Sequence, residues 1–211
     1  MTNPWLKIPA KDYEGHMLHP QVGQFPFLAE TFFNALKSHN PERVAFLGCA
    51  TGNGLEFVRD TACKRLTVID FNPEFLDVLE NRYEKLLPKP DIRLDNLEHC
   101  KFPEQEYTLI MAGLIFEFIE NIQDLLCRIS KSLIREGTLV TVLQLPGTNI
   151  SSITKTPYAS IKDLHTIMNL VERNDFCEMA GIAELKIHTE ETITLTTGKS
   201  FYIGTYKKDL K

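Results

Sequence analysis

The chain has 211 residues, of which 43% are hydrophobic and 24% are charged, so it is long enough to bury one full hydrophobic core. A net charge of −5 without a basic cluster argues against a nucleic-acid partner, and no apolar run approaches the roughly 18 residues of a membrane span. Five scattered cysteines without metal-ligand spacing, and an N-terminus without a signal-peptide core, predict a cytoplasmic protein with neither a disulfide framework nor a metal site.

Segments with strand and helix patterns alternate along most of the chain, which predicts a parallel sheet with helical crossovers. The sequence pattern predicts a buried strand over residues 43–47 and further strands over 66–69, 91–94, 107–111 and 138–145. Helical spacing and cap residues predict helices over residues 55–60, 73–87, 122–134 and 172–180. The tail differs, because strand-like runs over 182–196 and 201–206 flank "TTGKS" and predict a hairpin.

Two segments lie outside this alternation. Residues 1–40 precede the first strand and are predicted to form an N-terminal helical arm, in which Leu28 and Phe32 stand at helical spacing. Residues 146–170 follow the fifth strand, are rich in turn-forming residues and are too long for a tight connection. We expect both segments near the carboxyl ends of the strands, where open α/β sheets bind ligands.

The loop "GCATGNG", residues 48–54, directly follows the first predicted strand. Small residues at this point let backbone N–H groups and the start of the next helix face a polar ligand. Taken alone, the same spacing fits a structural turn equally well.

An acidic residue at the end of the second strand shifts the balance toward a ligand site. Asp70 can accept hydrogen bonds from both hydroxyls of a ribose, although it can also simply begin the turn into the Asn72-Pro73 helix cap. After the third strand, Asp95 and Asn96 can hydrogen-bond the edge of an adenine, although this pair is also common in turns.

Together these residues resemble the class I S-adenosylmethionine-dependent methyltransferases, over about residues 43–206, with a catalytic domain at 41–211. The resemblance implies a Rossmann-like three-layer α/β sandwich with a seven-stranded, mostly parallel sheet and an antiparallel C-terminal hairpin strand. That hairpin favours methyl transfer over the alternative of a nucleotide-binding oxidoreductase. The leader around "DYEGHM" looks like that of an uncharacterised bacterial-type branch of the family, in which such leaders act as a lid over the cofactor.

The resemblance also implies which residues bind S-adenosylmethionine. Ala50 replaces the middle glycine of the family's loop and should be tolerated, whereas Phe46 stands where an acid usually organises the methionine end. Tyr13 of the arm is therefore expected to help hold that end. The other implied cofactor-binding residues are Gly48, Cys49, Ala50, Gly52, Asn53, Asp70, Phe71, Asp95, Asn96, Leu97, Ala112 and Gly113.

The catalytic and acceptor-binding predictions are His16 and Glu117 as candidate bases, and Phe116, Gln144 and Tyr158 as acceptor contacts. Phe116 can equally belong to the core, as aromatic residues at strand ends often do. A base is needed only if the acceptor must lose a proton before it attacks the methyl group. The expected partner is a small-molecule substrate, with neither nucleic acid nor a membrane, and the sequence makes no prediction of an oligomeric state. A cofactor-binding protein without catalysis remains the other alternative.

Overall fold

The structure is a computed structural model that describes residues 3–147 and 151–209. Its strands are β1 (Arg43–Leu47), β2 (Arg65–Asp70), β3 (Asp91–Leu94), β4 (Tyr107–Gly113), β5 (Leu133–Gln144), β6 (Leu185–Thr194) and β7 (Ser200–Lys208). They form one sheet in the order β3-β2-β1-β4-β5-β7-β6. Strands β1 to β5 are parallel, and β7 lies antiparallel between β5 and β6. This confirms the predicted fold class, including the closing hairpin.

The α-helices of the described residues are α1 (Ala10–Leu18), α2 (Gln24–His39), α3 (Pro73–Arg82), α4 (Ile122–Ser132) and α5 (Arg173–Ile182). The predicted helix over 55–60 is a 3-10 helix, Leu55–Asp60. The side chain of Asn72 caps α3 as expected, because its Oδ1 accepts a hydrogen bond from the N–H of Glu74 at 3.0 Å. None of the helices in the described ranges is both long and apolar enough to cross a membrane.

Two helices end earlier than the pattern predicts. Helix α3 ends at Arg82 because Tyr83 leaves the helical conformation, and its hydroxyl donates to the carbonyl of Gly52 at 2.7 Å. Helix α4 ends at Ser132 because Leu133 is extended (ψ 138°) and begins β5. In both cases a tertiary contact or strand pairing overrides local helix propensity.

The alternating side chains of β1 divide the core into two layers. Ala45 and Leu47 belong to an apolar cluster that includes buried residues of α4 and α5. Val44 and Phe46 belong to a second cluster with α2 and α3, in which the rings of Phe46 and Phe32 are 5.3 Å apart. The side chain of Phe46 therefore lies in the core on the α2 face of the sheet.

Candidate active site

A cavity of about 580 Å³ lies at the carboxyl ends of the parallel strands. Its floor is formed by residues that follow β1, β2, β3, β4 and β5, and its cover by the N-terminal arm and residues 152–169. The volume is within the usual range for small-molecule and cofactor sites, roughly 300–1,000 Å³. The fold thus brings together the two segments that fall outside the strand–helix alternation.

The glycine loop has two different faces. Gly48 and Ala50 line the cavity, and both have a left-handed backbone, with φ of 63° and 45°. Gly52 also has a left-handed backbone (φ 87°), but a Cβ there would lie 2.7 Å from the ring of Tyr83 and 3.0 Å from Leu79. Gly48 and Ala50 therefore stand at the ligand side, whereas Gly52 serves the packing of the loop onto α3.

The carboxylate of Asp70 joins this loop to the end of β2. Its Oδ2 accepts a hydrogen bond from the N–H of Ala50 at 2.9 Å, and its Oδ1 accepts one from the N–H of Asn72 at 2.9 Å. Burial raises the pKa of Asp70, and these backbone hydrogen bonds act in the opposite direction. Asp70 and the adjacent Phe71 both line the cavity, and a carboxylate has about four acceptor positions, so Asp70 can also accept a hydrogen bond from a ligand.

The ends of β3 and β4 contribute some of the predicted residues and leave others outside. Asn96 and Leu97 line the cavity, whereas Asp95 is exposed and its Oδ1 accepts a hydrogen bond from the N–H of Asn96. Gly113 lines the cavity, whereas Ala112 is buried in the sheet core. At these strand ends, fewer residues line the cavity than the sequence predicts.

Two further residues of the predicted cofactor site lie behind the loop. Cys49 is buried outside the cavity lining, and burial raises the pKa of its thiol well above the ordinary value. The side-chain amide of Asn53 donates to the carbonyl of Phe25 at 2.7 Å and so ties the loop to α2. Both positions support the loop in this structure.

Tyr13 and His16 of α1 both face the cavity. The ring of Tyr13 packs against Phe75 at 5.0 Å, and burial raises the pKa of its phenol, so the hydroxyl stays protonated at neutral pH. The Nδ1 atom of His16 is 3.0 Å from the hydroxyl of Thr156. Burial lowers the pKa of His16 to about 4, so its imidazole is neutral at pH 7.

Close contacts attach the arm to the segment that follows β5. Gly15 lies inside α1, and a Cβ there would be 2.2 Å from the ring of Tyr158. The hydroxyl of Ser160 donates to the carboxylate of Asp12 at 2.6 Å. The absence of a side chain at Gly15 is therefore explained by this close approach, and Tyr158 acts as a contact between the two parts of the cover. Residues 148–150 of the predicted 146–170 insert lie outside the described residues.

Glu117 and Phe116 lie behind the cavity wall. Phe116 is fully buried and its ring is 4.8 Å from that of Phe176, so it belongs to the core. Glu117 is also fully buried: its Oε1 accepts a hydrogen bond from the N–H of Gln144 at 2.6 Å, and its Oε2 has no partner among the described residues. Burial raises the pKa of Glu117 to about 7. Glu117 is placed to position Gln144, which does line the cavity.

Lys199 is a cavity residue that the sequence did not reveal. It precedes β7, is only 5% exposed, and donates from Nζ to Oε1 of Gln144 at 3.2 Å and to the carbonyl of Ser152 at 2.6 Å. A lysine within "TTGKS" has the local pattern of a solvated turn residue. Its burial depends on the long segment after β5 folding over it, which no local pattern shows.

The chain is similar in sequence to a known family of domains and in fold to several solved structures. The family described as "Methyltransferase domain" matches residues 46–141. Similar solved structures include an S-adenosylmethionine-dependent methyltransferase from Mesorhizobium loti, with a TM-score of 0.68 and 13% identity over 85% of this chain and 97% of that chain. Geranyl diphosphate C-methyltransferase from Streptomyces coelicolor A3(2) has a TM-score of 0.68 and 14% identity, over 85% and 77% of the two chains. No curated protein matches the chain by sequence.

The chain contains a methyltransferase domain at residues 46–141, and its fold is that of the class I S-adenosylmethionine-dependent methyltransferases. Its cofactor is S-adenosylmethionine and its reaction is methyl transfer. The [4+2]-cyclase SpnF has the same fold, with a TM-score of 0.68 and 13% identity over 86% of this chain and 82% of that chain. Fold alone therefore does not define the chemistry at the acceptor side of a methyltransferase domain.

The residues of the cavity fit this cofactor. The acidic side chain of Asp70 offers free lone pairs at the end of β2, and Gly48 presents backbone without a side chain at the end of β1. A Cβ on Gly48 would lie 2.3 Å from Ile115, so the β1 and β4 loops approach too closely for any larger residue. The cavity thus places a carboxylate that can accept hydrogen bonds beside backbone without a side chain.

Proposed function

We propose that this methyltransferase domain transfers the methyl group of S-adenosylmethionine to a small molecule. The small molecule binds in the cavity beneath α1 and residues 152–169. The observation that carries the proposal is the cover itself, because α1 and the segment after β5 are joined by Gly15–Tyr158 and Asp12–Ser160 contacts. A cavity covered by these two segments suits a small acceptor. The similar enzyme from Streptomyces coelicolor was solved in complex with a small molecule, geranyl diphosphate.

In this proposal the strand ends hold the cofactor. Asp70 accepts hydrogen bonds from the ribose, Asn96 and Leu97 contact the base, and Gly48 offers backbone to the amino acid part. Bound S-adenosylmethionine supplies an electrophilic methyl group on a sulfonium. Tyr13 is placed to help hold the amino acid part, because its protonated hydroxyl has no hydrogen bond to any other described residue.

The chain's own residues then align the acceptor and exclude water. Methyl transfer is an in-line displacement, so alignment of the reacting atoms supplies much of the rate. His16 is neutral at pH 7 and can take a proton from an acceptor hydroxyl, whereas Glu117 lies outside the cavity lining. We therefore keep His16 as the candidate base and assign Glu117 a positioning role behind Gln144.

The proposal is tested with S-adenosylmethionine labelled in its methyl group, incubated with cell extract that has been separated into small molecules, protein and nucleic acid. We expect label to enter the small-molecule fraction with the wild type and not with Asp70→Ala. Label in the protein or nucleic acid fraction alone would contradict the small-molecule assignment. Cofactor binding with no transfer to any fraction would support the alternative of a cofactor-binding protein without catalysis.

A further inference from the structure

Lys199 is a buried cation whose contacts are all with neutral groups. Its ammonium donates to an amide oxygen of Gln144 and to the backbone carbonyl of Ser152, which leaves its third proton free. Within the described residues, no carboxylate lies within 4.0 Å of its Nζ, although the cavity is also lined by Asp70, Glu98 and Glu120. Buried charges in proteins are normally paired, so an unpaired ammonium facing a cavity indicates that a ligand supplies the anion.

The surroundings of Lys199 do not compensate its charge. The His16 imidazole of α1 is near enough for Lys199 to contribute to lowering the pKa of His16, and it is neutral. The pKa of Lys199 is lowered to about 8, and burial is the cause of this shift. Lys199 therefore remains mostly protonated at pH 7, in a polar corner that it shares with His16, Gln144 and Ser152.

The sheet order separates this corner from the proposed cofactor residues. Strands β4 and β5 lie between β1, which carries Gly48, and β7, which follows Lys199. Three interstrand steps of about 4.8 Å place the start of β7 about 14 Å from the end of β1. Asp70, on β2, is one strand further away. Lys199 thus stands at the acceptor side of the cavity.

The rest of the cavity lining combines aromatic and aliphatic side chains with polar ones, among them Gln24 and Asn169. Trp5 and Phe118 form an edge-on pair with ring centres 5.1 Å apart, and Ile153, Ile161 and Leu164 line the cover. A single ammonium matches one negative charge, whereas a diphosphate normally needs several cations or a metal. No cluster of three or more metal-ligating side chains is found in residues 3–147 and 151–209. The chemistry therefore favours a carboxylate over a diphosphate.

We infer that Lys199 binds the carboxylate of the methyl acceptor, and that the acceptor is a carboxylic acid. This rests on the proposed function, in which the acceptor occupies the same cavity. Gln144 and the Ser152 carbonyl orient the ammonium, and Glu117 orients Gln144 through its backbone. Lys199 is thus a specificity-determining residue, since a neutral analogue would leave its charge unpaired.

The test uses the fluorescence of Trp5, the one tryptophan of the chain, which lines the cavity. The full chain, saturated with S-adenosylhomocysteine, is titrated with octanoate, octanamide, octanol and octyl phosphate at pH 7. We expect octanoate to bind at least tenfold more tightly than the other three probes. Equal binding of octanamide, or tighter binding of octyl phosphate, would overturn the inference.

The matched variants are Lys199→Met and Lys208→Met, which remove a lysine from opposite ends of the β7 segment. Lys208 also donates to a backbone carbonyl, that of Leu133, but lies outside the cavity lining. Lys199→Met should lose the tenfold preference and bind S-adenosylhomocysteine within twofold of the wild type, and Lys208→Met should keep the preference. Loss of S-adenosylhomocysteine affinity in Lys199→Met would instead assign the lysine to the cofactor.

A pH series on the wild type gives a readout that needs no variant. Octanoate affinity should fall as the pH rises from 7 to 10, because the ammonium of Lys199 loses its proton, while octanamide affinity stays constant. A constant octanoate affinity over this range would contradict the role of Lys199. If S-adenosylhomocysteine itself fails to bind, the proposed function fails, and this outcome is distinct from the loss of carboxylate preference.

Discussion

The N–H of Ala50 donates a hydrogen bond to Oδ2 of Asp70 at 2.9 Å, and both residues line the cavity. This contact couples the loop after β1 to the acid at the end of β2. It fixes the carboxylate from one side and leaves lone pairs on the cavity side. A change at either residue is therefore expected to affect the structure of the loop and the binding of cofactor together.

Asp70→Ala should weaken S-adenosylmethionine binding by about tenfold or more, because a charged hydrogen bond contributes roughly 1.5–3 kcal/mol. It should also lower the free energy of unfolding, by about 1–3 kcal/mol, because the N–H groups of Ala50 and Asn72 lose their acceptor. Calorimetry of binding and urea unfolding measure the two effects. Asp77→Ala, an exposed acid on α3, is the control. Unchanged affinity in folded Asp70→Ala would show that the ribose assignment is wrong.

Gly52→Val should act on stability more than on the cofactor. Gly52 has a positive φ, and its Cβ would meet Tyr83 and Leu79, so we expect a loss of about 2–4 kcal/mol of unfolding free energy from backbone strain and overpacking. Thermal unfolding tests this, with Gly181→Val as the control, because a Cβ at Gly181 would meet no atom within 4 Å apart from its chain neighbours and the backbone of its own helix. A variant that unfolds like the wild type but binds no cofactor would place Gly52 at the ligand.

Gly15→Ala should displace the ring of Tyr158 and loosen the cover of the cavity. A Cβ at Gly15 would lie 2.2 Å from that ring, which must move away. We expect a several-fold rise in KM for the acceptor, with cofactor affinity changed less. The effect should disappear in a Tyr158→Ala background, where the clash is absent. Equal effects of Gly15→Ala in both backgrounds would mean that the Gly15–Tyr158 contact is not the cause.

Glu117→Gln should change the pH dependence of stability. The folded-state pKa of Glu117 is raised to about 7, above its ordinary value, so the folded state holds more protons than the unfolded state and its stability falls as the pH rises toward 7. This loss is up to about 3 kcal/mol for a shift of this size, because one pKa unit corresponds to about 1.4 kcal/mol. Glu117→Gln keeps an oxygen for the N–H of Gln144 but carries no charge.

His16 makes the opposite contribution, because its pKa is lowered, and stability from this residue is lost as the pH falls below about 6.5. The informative quantity is therefore the difference in unfolding free energy between Glu117→Gln and the wild type at each pH. We expect this difference to move in favour of the variant between pH 5 and pH 8. A difference that does not change with pH would show that Glu117 titrates normally.

The fold was predictable because strand and helix patterns alternate along the chain and the tail has the pattern of a hairpin, although β3 (DIRL) and β6 (LKIHTEETIT) are not apolar runs. The cofactor side was partly predictable for the same reason, since Gly48, Asp70, Asn96 and Gly113 stand at strand ends. Which face of the loop Gly52 occupies depends on packing against Tyr83, and no local pattern encodes it.

The acceptor side was less predictable, because it is built by long-range packing. Lys199 comes from a hairpin turn and is covered by the segment around Ser152, far away in sequence. Glu117 is an acid among apolar residues in the sequence, and this pattern reflects its burial behind Gln144. A polar residue among apolar neighbours can be recognised in a sequence, whereas the direction in which its side chain points cannot.

A crystal structure of the full chain with S-adenosylhomocysteine would locate the cofactor and the acceptor space in one experiment. We predict the ribose hydroxyls within hydrogen-bond distance of Asp70, about 2.5–3.2 Å, and the base beside Asn96 and Leu97. We also predict open cavity between the sulfur and Lys199, where the acceptor is expected to bind. A nucleoside bound away from Asp70, or a cofactor carboxylate paired with Lys199, would contradict the proposed division of the cavity.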